Sequence, residues 1–175
     1  MYLREINETD KYELLEMVKE IDNDTIEDKY EGFRNIKDLT EENFNSFLEE
    51  LKKNKNMKLY KPNLVDQTTY ILTDENNHIY GGTNIRHELN EDLLNHGGHI
   101  GYLIRPTERK KGYGTLMLKL ALEKCKLLHI EKVLVTCREE NIGSAKVIEN
   151  NNGIYENSFT NTKDGKTYRR YWIKN

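Results

Sequence analysis

From Gly98 to Gly153 an apolar strand, a basic glycine turn, an amphipathic helix, a buried strand and a capped helix follow one another without a break. That order constrains the fold more than any other feature of the chain, because alternating strands and helices of this length point to an α/β architecture. The strand Gly98 to Ile104 runs into Arg105-Pro106-Thr107-Glu108-Arg109-Lys110-Lys111-Gly112-Tyr113-Gly114-Thr115. A helix N-terminus presents unpaired backbone N–H groups and a positive dipole end, so this corner is where a phosphate would sit. Gly112 and Gly114 let the backbone come close to a ligand, while Arg109, Lys110 and Lys111 add positive charge.

Two other phosphate sites fail on spacing. No Gly-x-x-x-x-Gly-Lys run precedes a Ser or Thr, and the third glycine of a dinucleotide fingerprint is missing. Beyond the helix, Lys132 to Cys137 reads as a buried strand. Asn141 is placed to cap the helix that follows, and Gly153 to end it.

The pattern upstream is coarser. Tyr2 to Ile6 reads as a strand, Asp10 to Ile21 as a helix, and Asp22 to Asn35 as a polar, acidic loop or short helix. Thr40-Glu41-Glu42-Asn43 is a capping pattern for a second helix, whose buried face is Phe44, Phe47, Leu48 and Leu51. Lys52 to Pro62 reads as a connector. Thr69 to Thr73 and His78 to Arg86 form a hairpin around Glu75-Asn76-Asn77. The tail, Ile154 to Thr160 and Thr167 to Lys174, carries a two-residue hairpin signal at Asp164-Gly165.

At 175 residues with no long linker, the chain reads as one domain, 1–175. A net charge of −3 demands neither a nucleic acid nor a membrane partner, and the basic cluster is local. Cys125 and Cys137 make neither a disulfide framework nor a metal set and read as core residues of a protein in a reducing cytoplasm. Met1 to Glu5 does not read as a signal sequence, and no apolar run approaches membrane-span length.

The Arg-x-x-Gly-x-Gly corner followed by Asn141-x-x-Ser144 and Gly153-Ile154 resembles the GNAT N-acetyltransferase superfamily. The resemblance covers about Gly98 to Ile154 well and the first half only in outline. It implies a central mixed, mostly antiparallel sheet of about seven strands flanked by about four helices (α/β, or α+β). It also implies that Arg109, Lys110, Lys111, Gly112, Tyr113, Gly114 and Thr115 hold the pyrophosphate of acetyl-CoA, with Asn141 and Ser144 on its pantetheine and adenosine side. Backbone N–H groups of Leu103 and Ile104 are assigned by position to the thioester carbonyl and the pantetheine amide. No metal is implied.

The activity implied is direct acetyl transfer to a primary amine, on a small molecule or a peptide. The amine must shed a proton, and His99, His96 and Glu88 are the candidates to take it, His99 foremost because it lies on the motif strand. The resemblance expects a proton-donating Tyr where this chain has Glu149, so that another residue, such as Tyr102 or Tyr113, would have to assist. Asp22, Asp24, Glu27, Asp28 and Glu31, with Glu88, Glu91 and Asp92, suggest a small cationic acceptor. The competing readings are an acyl-CoA-binding sensor without turnover and a nucleic-acid binder using Arg105, Arg109, Lys110 and Lys111. A monomer or a homodimer is expected.

Overall fold

The computed structural model describes residues 1–27, 29–162 and 164–175; Asp28, counted above in the acidic stretch, lies outside the described residues. Among the described residues seven strands form one sheet: β1 (Tyr2–Glu5), β2 (Gln67–Thr73), β3 (Ile79–Arg86), β4 (Ile100–Ile104), β5 (Lys132–Arg138), β6 (Ile154–Thr160) and β7 (Thr167–Lys174), in the order β1-β2-β3-β4-β5-β7-β6. Every neighbouring pair is antiparallel except β4 and β5. The helices are α1 (Lys11–Asp22), α2 (Phe44–Asn54), α3 (Met57–Tyr60), α4 (Glu91–Asn95), α5 (Tyr113–Leu127) and α6 (Ile142–Glu149).

Alternation along the strands divides the core in two. Ile71 and Leu103 face α1 and α2, where they pack with Leu14, Met17, Phe33 and Phe44. Leu72, Ile100, Val133 and Val135 face α5 and α6, against Met117, Leu118, Ala121, Cys125 and Ile148. Burying both sheet faces explains why β5 reads as an unbroken apolar run.

Several local expectations need correction. Thr40 and Asn43 do exchange side chain–backbone hydrogen bonds (2.9 and 3.3 Å), but they close a turn ahead of the helix, which begins at Phe44. The connector after α2 contains the single turn of α3, and α4 follows Asn90, whose side chain caps Leu93 N–H at 3.0 Å. The final hairpin has no two-residue loop. The ladder ends at Thr160 and Thr167, and Asn161 N–H donates to Lys166 C=O at 2.8 Å, so the connection spans residues 161–166.

Candidate active site

The site follows from how weakly β4 and β5 are joined. Their ladder has one residue pair, Ile100 with Val135; beyond it the strands diverge. On its other edge β4 is paired with β3 throughout, Ile100 with Ile85 to Ile104 with Gly81. At the two ends of that ladder Arg86 N–H donates to His99 C=O (2.8 Å) and Arg105 N–H to Tyr80 C=O (2.9 Å). Backbone groups of successive residues point to opposite edges of a strand. The N–H groups of Gly101 and Leu103 are therefore directed at β3, and those of Tyr102 and Ile104 at the gap. This corrects the assignment of Leu103: its amide belongs to the sheet, and the paired gap-facing donors are Tyr102 and Ile104.

Two cavities flank the gap. One, of about 600 Å³, is lined by Leu103, Ile104, Arg109, Lys110, Gly112, Gly114, Thr115 and Val147 among others. The second, of about 530 Å³, lies toward β3 and α4, with Asn35, Asn84, Arg86 and His96 in its wall. Glu31, Tyr102, Arg138, Asn141 and Ser144 line both. The Tyr102 hydroxyl lies 2.8 Å from Ser144 Oγ, and burial raises its pKa, so it remains protonated at neutral pH. Glu31 is 2.6 Å from the buried Arg138 guanidinium. Gly32, at φ +88°, presses so closely on the Tyr102 backbone that a Cβ there would collide with the Tyr102 carbonyl oxygen. This contact brings the residue 29–33 loop to the seam.

The glycine corner is built as a cradle. Gly112 adopts φ +88° and occupies the N-cap position of α5, with no side chain capping the helix. Leu116 N–H bonds back to Gly112 C=O, so the amides of Tyr113, Gly114 and Thr115 precede the first intrahelical bond. A Cβ on Gly114 would meet Val147 Cγ2 at 3.1 Å, on the wall of the larger cavity.

The cationic side chains are arranged otherwise than expected. Arg109 pairs with Asp24 and donates from Nε to Ile104 C=O at 3.2 Å, and so braces the corner. Burial works to raise the pKa of Asp24, but hydrogen bonds from Arg109 and the Ile26 amide outweigh it and leave it lowered. Lys111 bonds Glu108 at 3.0 Å and does not line the cavity, whereas Lys110 does. The Tyr113 ring packs on Tyr80, centroids 4.6 Å apart, leaving its backbone N–H as its contribution. Asn141 accepts from Ser144 N–H at 2.9 Å, the expected cap, and both residues reach the seam.

Two proton-acceptor candidates are displaced. His99 is buried, and its Nδ1 accepts from Leu134 N–H at 2.9 Å. Burial and the nearby Arg86 cation depress its pKa to about 4, so it is a neutral structural residue outside both cavity walls. Glu88 pairs with Lys58 and lines neither cavity. His96 is the one of the three that lines the smaller cavity. Glu149 is exposed and accepts from Tyr171 O–H at 3.2 Å, while Tyr102 supplies the hydroxyl at the seam.

The acidic wall is also corrected. Among the described residues, Glu31 is the only one of the acidic residues expected there that lines the smaller cavity, joined by Asp164; Asp24 and Glu88 are held by basic partners. Arg105, assigned to a basic binding face, is buried between Glu13 (2.6 Å) and Glu20 (2.7 Å), which removes it from any nucleic-acid surface.

Residues 1–153 match a family model described as an acetyltransferase (GNAT) domain. No curated protein sequence matches the chain. Similar solved structures include the ribosomal L7/L12 alpha-N-protein acetyltransferase RimL in complex with coenzyme A, at TM-score 0.67 and 14% identity, covering 98% of this chain and 92% of that one. A chimera of the spermidine N-acetyltransferase SpeG from Vibrio cholerae and hSSAT superposes at TM-score 0.61 and 17% identity, covering 99% and 96%. The Salmonella typhimurium protein yncA, solved with its cofactor acetyl-CoA, gives 0.62 at 9% identity, covering 98% and 92%. At these identities the structural likeness concerns the fold.

Proposed function

Because the chain belongs to the GNAT acetyltransferase family, we propose that it transfers the acetyl group of acetyl-CoA directly to a primary amine across the gap between β4 and β5. The observation that carries this reading is the pair of cavities with a common wall at Tyr102 and Ser144. One cavity suits the thioester carrier and the other the acceptor.

The residues present fit the carrier. Uncapped amides at the start of α5, with Lys110 beside them, suit a diphosphate. The Tyr102 and Ile104 amides, outside the β3 ladder, suit the carbonyl and amide groups of an extended pantetheine arm, which would lie as a strand beside β4. Acetyl-CoA supplies an activated acyl group; a backbone N–H in the gap withdraws charge from its carbonyl. His96 takes the proton that the amine must lose, directly or through water, and the Tyr102 hydroxyl hydrogen-bonds the departing sulfur, with Ser144 holding it in place. Cys137 is the cysteine that lines a cavity, and burial pushes its thiol up to about 11, which supports one-step transfer over an acyl-cysteine intermediate. Both cysteines are buried and unpaired, in keeping with a cytoplasmic setting.

Acetyl-CoA offered with a panel of primary amines tests the reading. Amine-dependent release of free thiol is expected. Binding of acetyl-CoA with no thiol release for any amine would instead identify a sensor that binds without turnover.

A further inference from the structure

Four arginines line the two cavities, and they are matched unequally by carboxylates. Arg109 has Asp24 and Arg138 has Glu31. Arg34 is exposed. Arg86, the last residue of β3, is sunk in the wall of the smaller cavity, and among the described residues no carboxylate lies within ion-pair distance. Its Nη1 donates to Gly97 C=O and Gly98 C=O, both at 3.0 Å, which anchors a turn whose two glycines have φ of +107° and +62°. The Nε–Nη2 edge has no protein acceptor among the described residues, and neither atom is a sealed, unsatisfied donor. Burial alone brings the Arg86 pKa down to about 10, with no neighbouring anion acting against it.

A half-buried guanidinium without a compensating charge is costly, and anchoring a turn needs only a neutral donor. The free edge is a planar two-donor fork of the shape that takes a carboxylate in bidentate fashion. Asn84, buried and fixed by Thr69 Oγ1 (2.7 Å) and Asn35 (2.8 Å), adds a rigid polar floor in the same cavity.

We propose that the acceptor is a primary amine that also carries a carboxylate, and that the Nε–Nη2 edge of Arg86 holds this carboxylate in the smaller cavity. The inference rests on the acetyl-transfer reading for its amine. It replaces a cationic acceptor with a zwitterionic one, either a free amino acid or a peptide whose first residue is acidic.

Matched acceptor pairs test it with acetyl-CoA as donor: amino acids against their α-amides, ω-amino acids against diamines of equal length, and peptides beginning with Asp against those beginning with Asn. The carboxylate member of at least one pair should show kcat/KM higher by about 30-fold or more, the discrimination expected when one partner of a buried charge pair is removed. Which pair shows it tells free amino acids from peptides. Arg86→Gln should bring that ratio close to one through KM while leaving the calorimetric affinity for acetyl-CoA unchanged. Equal or better turnover of the amides, diamines and Asn peptides overturns the inference, as does a ratio that survives in Arg86→Gln. Should that variant fail to fold, the wild-type ratios decide. Absence of acetyl-CoA binding overturns the transfer reading and this inference together, whereas binding and turnover without carboxylate preference overturn this inference alone.

Discussion

Replacing Gly114 by alanine should separate ligand binding from folding. The new methyl would stand 3.1 Å from Val147 Cγ2 and 3.7 Å from Ile104 Cγ1, tight enough to move Val147 by a few tenths of an ångström. Against that strain, alanine is better than glycine within a helix by about 1 kcal/mol. The two effects nearly cancel, so the melting temperature should stay within about 4 °C of wild type, the shift for 1 kcal/mol in a domain of this size. Binding has no such offset. Gly114, Ile104 and Val147 all line the larger cavity, and a methyl between them takes the space in which a diphosphate would approach the helix amides. The dissociation constant for acetyl-CoA should rise at least about 10-fold, a loss of about 1.4 kcal/mol. Gly112→Ala is the contrast: its Cβ meets nothing within 4 Å, but φ +88° costs a side chain roughly 1–2 kcal/mol, so stability falls as well as affinity. Calorimetry and thermal melting on both variants make the comparison. A folded Gly114→Ala protein that binds acetyl-CoA with wild-type affinity would refute the placement of the diphosphate at this corner.

Tyr102→Phe removes the hydroxyl 2.8 Å from Ser144 Oγ; kcat should fall about 100-fold with KM for acetyl-CoA nearly constant, as steady-state kinetics would record. Arg105→Met leaves Glu13 and Glu20 without their cation and should destabilise the fold by about 3 kcal/mol in urea titration, partly restored by adding Glu20→Gln. For His99 the folded pKa of about 4 lies below the unfolded value of about 6.5. Its contribution, up to about 3 kcal/mol, is therefore complete above pH 6.5 and lost as pH falls toward 4. His99→Asn, whose carbonyl can still accept from Leu134 N–H, should flatten the stability curve over that window; an unchanged slope would show that His99 is not its source.

The second half of the chain was legible because its signals are local. Gly112 and Gly114 at a strand-to-helix corner, and Asn141 capping Ser144, depend on neighbours a few residues away. What escaped depends on partners far along the chain. Whether the Leu103 or the Tyr102 amide faces the gap is set by the register of β3 against β4, and a one-residue change inverts the answer. His99 carries an imidazole suited to catalysis, but its fate is decided by Leu134 and Arg86. The acidic stretch before Asn35 gave no sign that Asp24 would brace Arg109 or that Glu31 would reach Arg138, since both pairings join residues more than 80 positions apart. Arg86 and Arg138 close their strands without any motif, so only the assembled cavities show them to be site residues. The short turns α3 and α4 lack the apolar periodicity that marks a longer helix.

The account stands on acetyl-CoA lying along the free edge of β4 with its diphosphate at the start of α5. Amide resonances of nitrogen-15-labelled protein, followed by NMR during titration with acetyl-CoA, test that directly. The largest shifts should fall on Tyr102, Ile104, Gly112, Gly114 and Thr115, with smaller ones on the ladder-bound amides of Gly101 and Leu103. Saturating acetyl-CoA that left the β4 and α5 amides unmoved, or shifted a different surface, would contradict it.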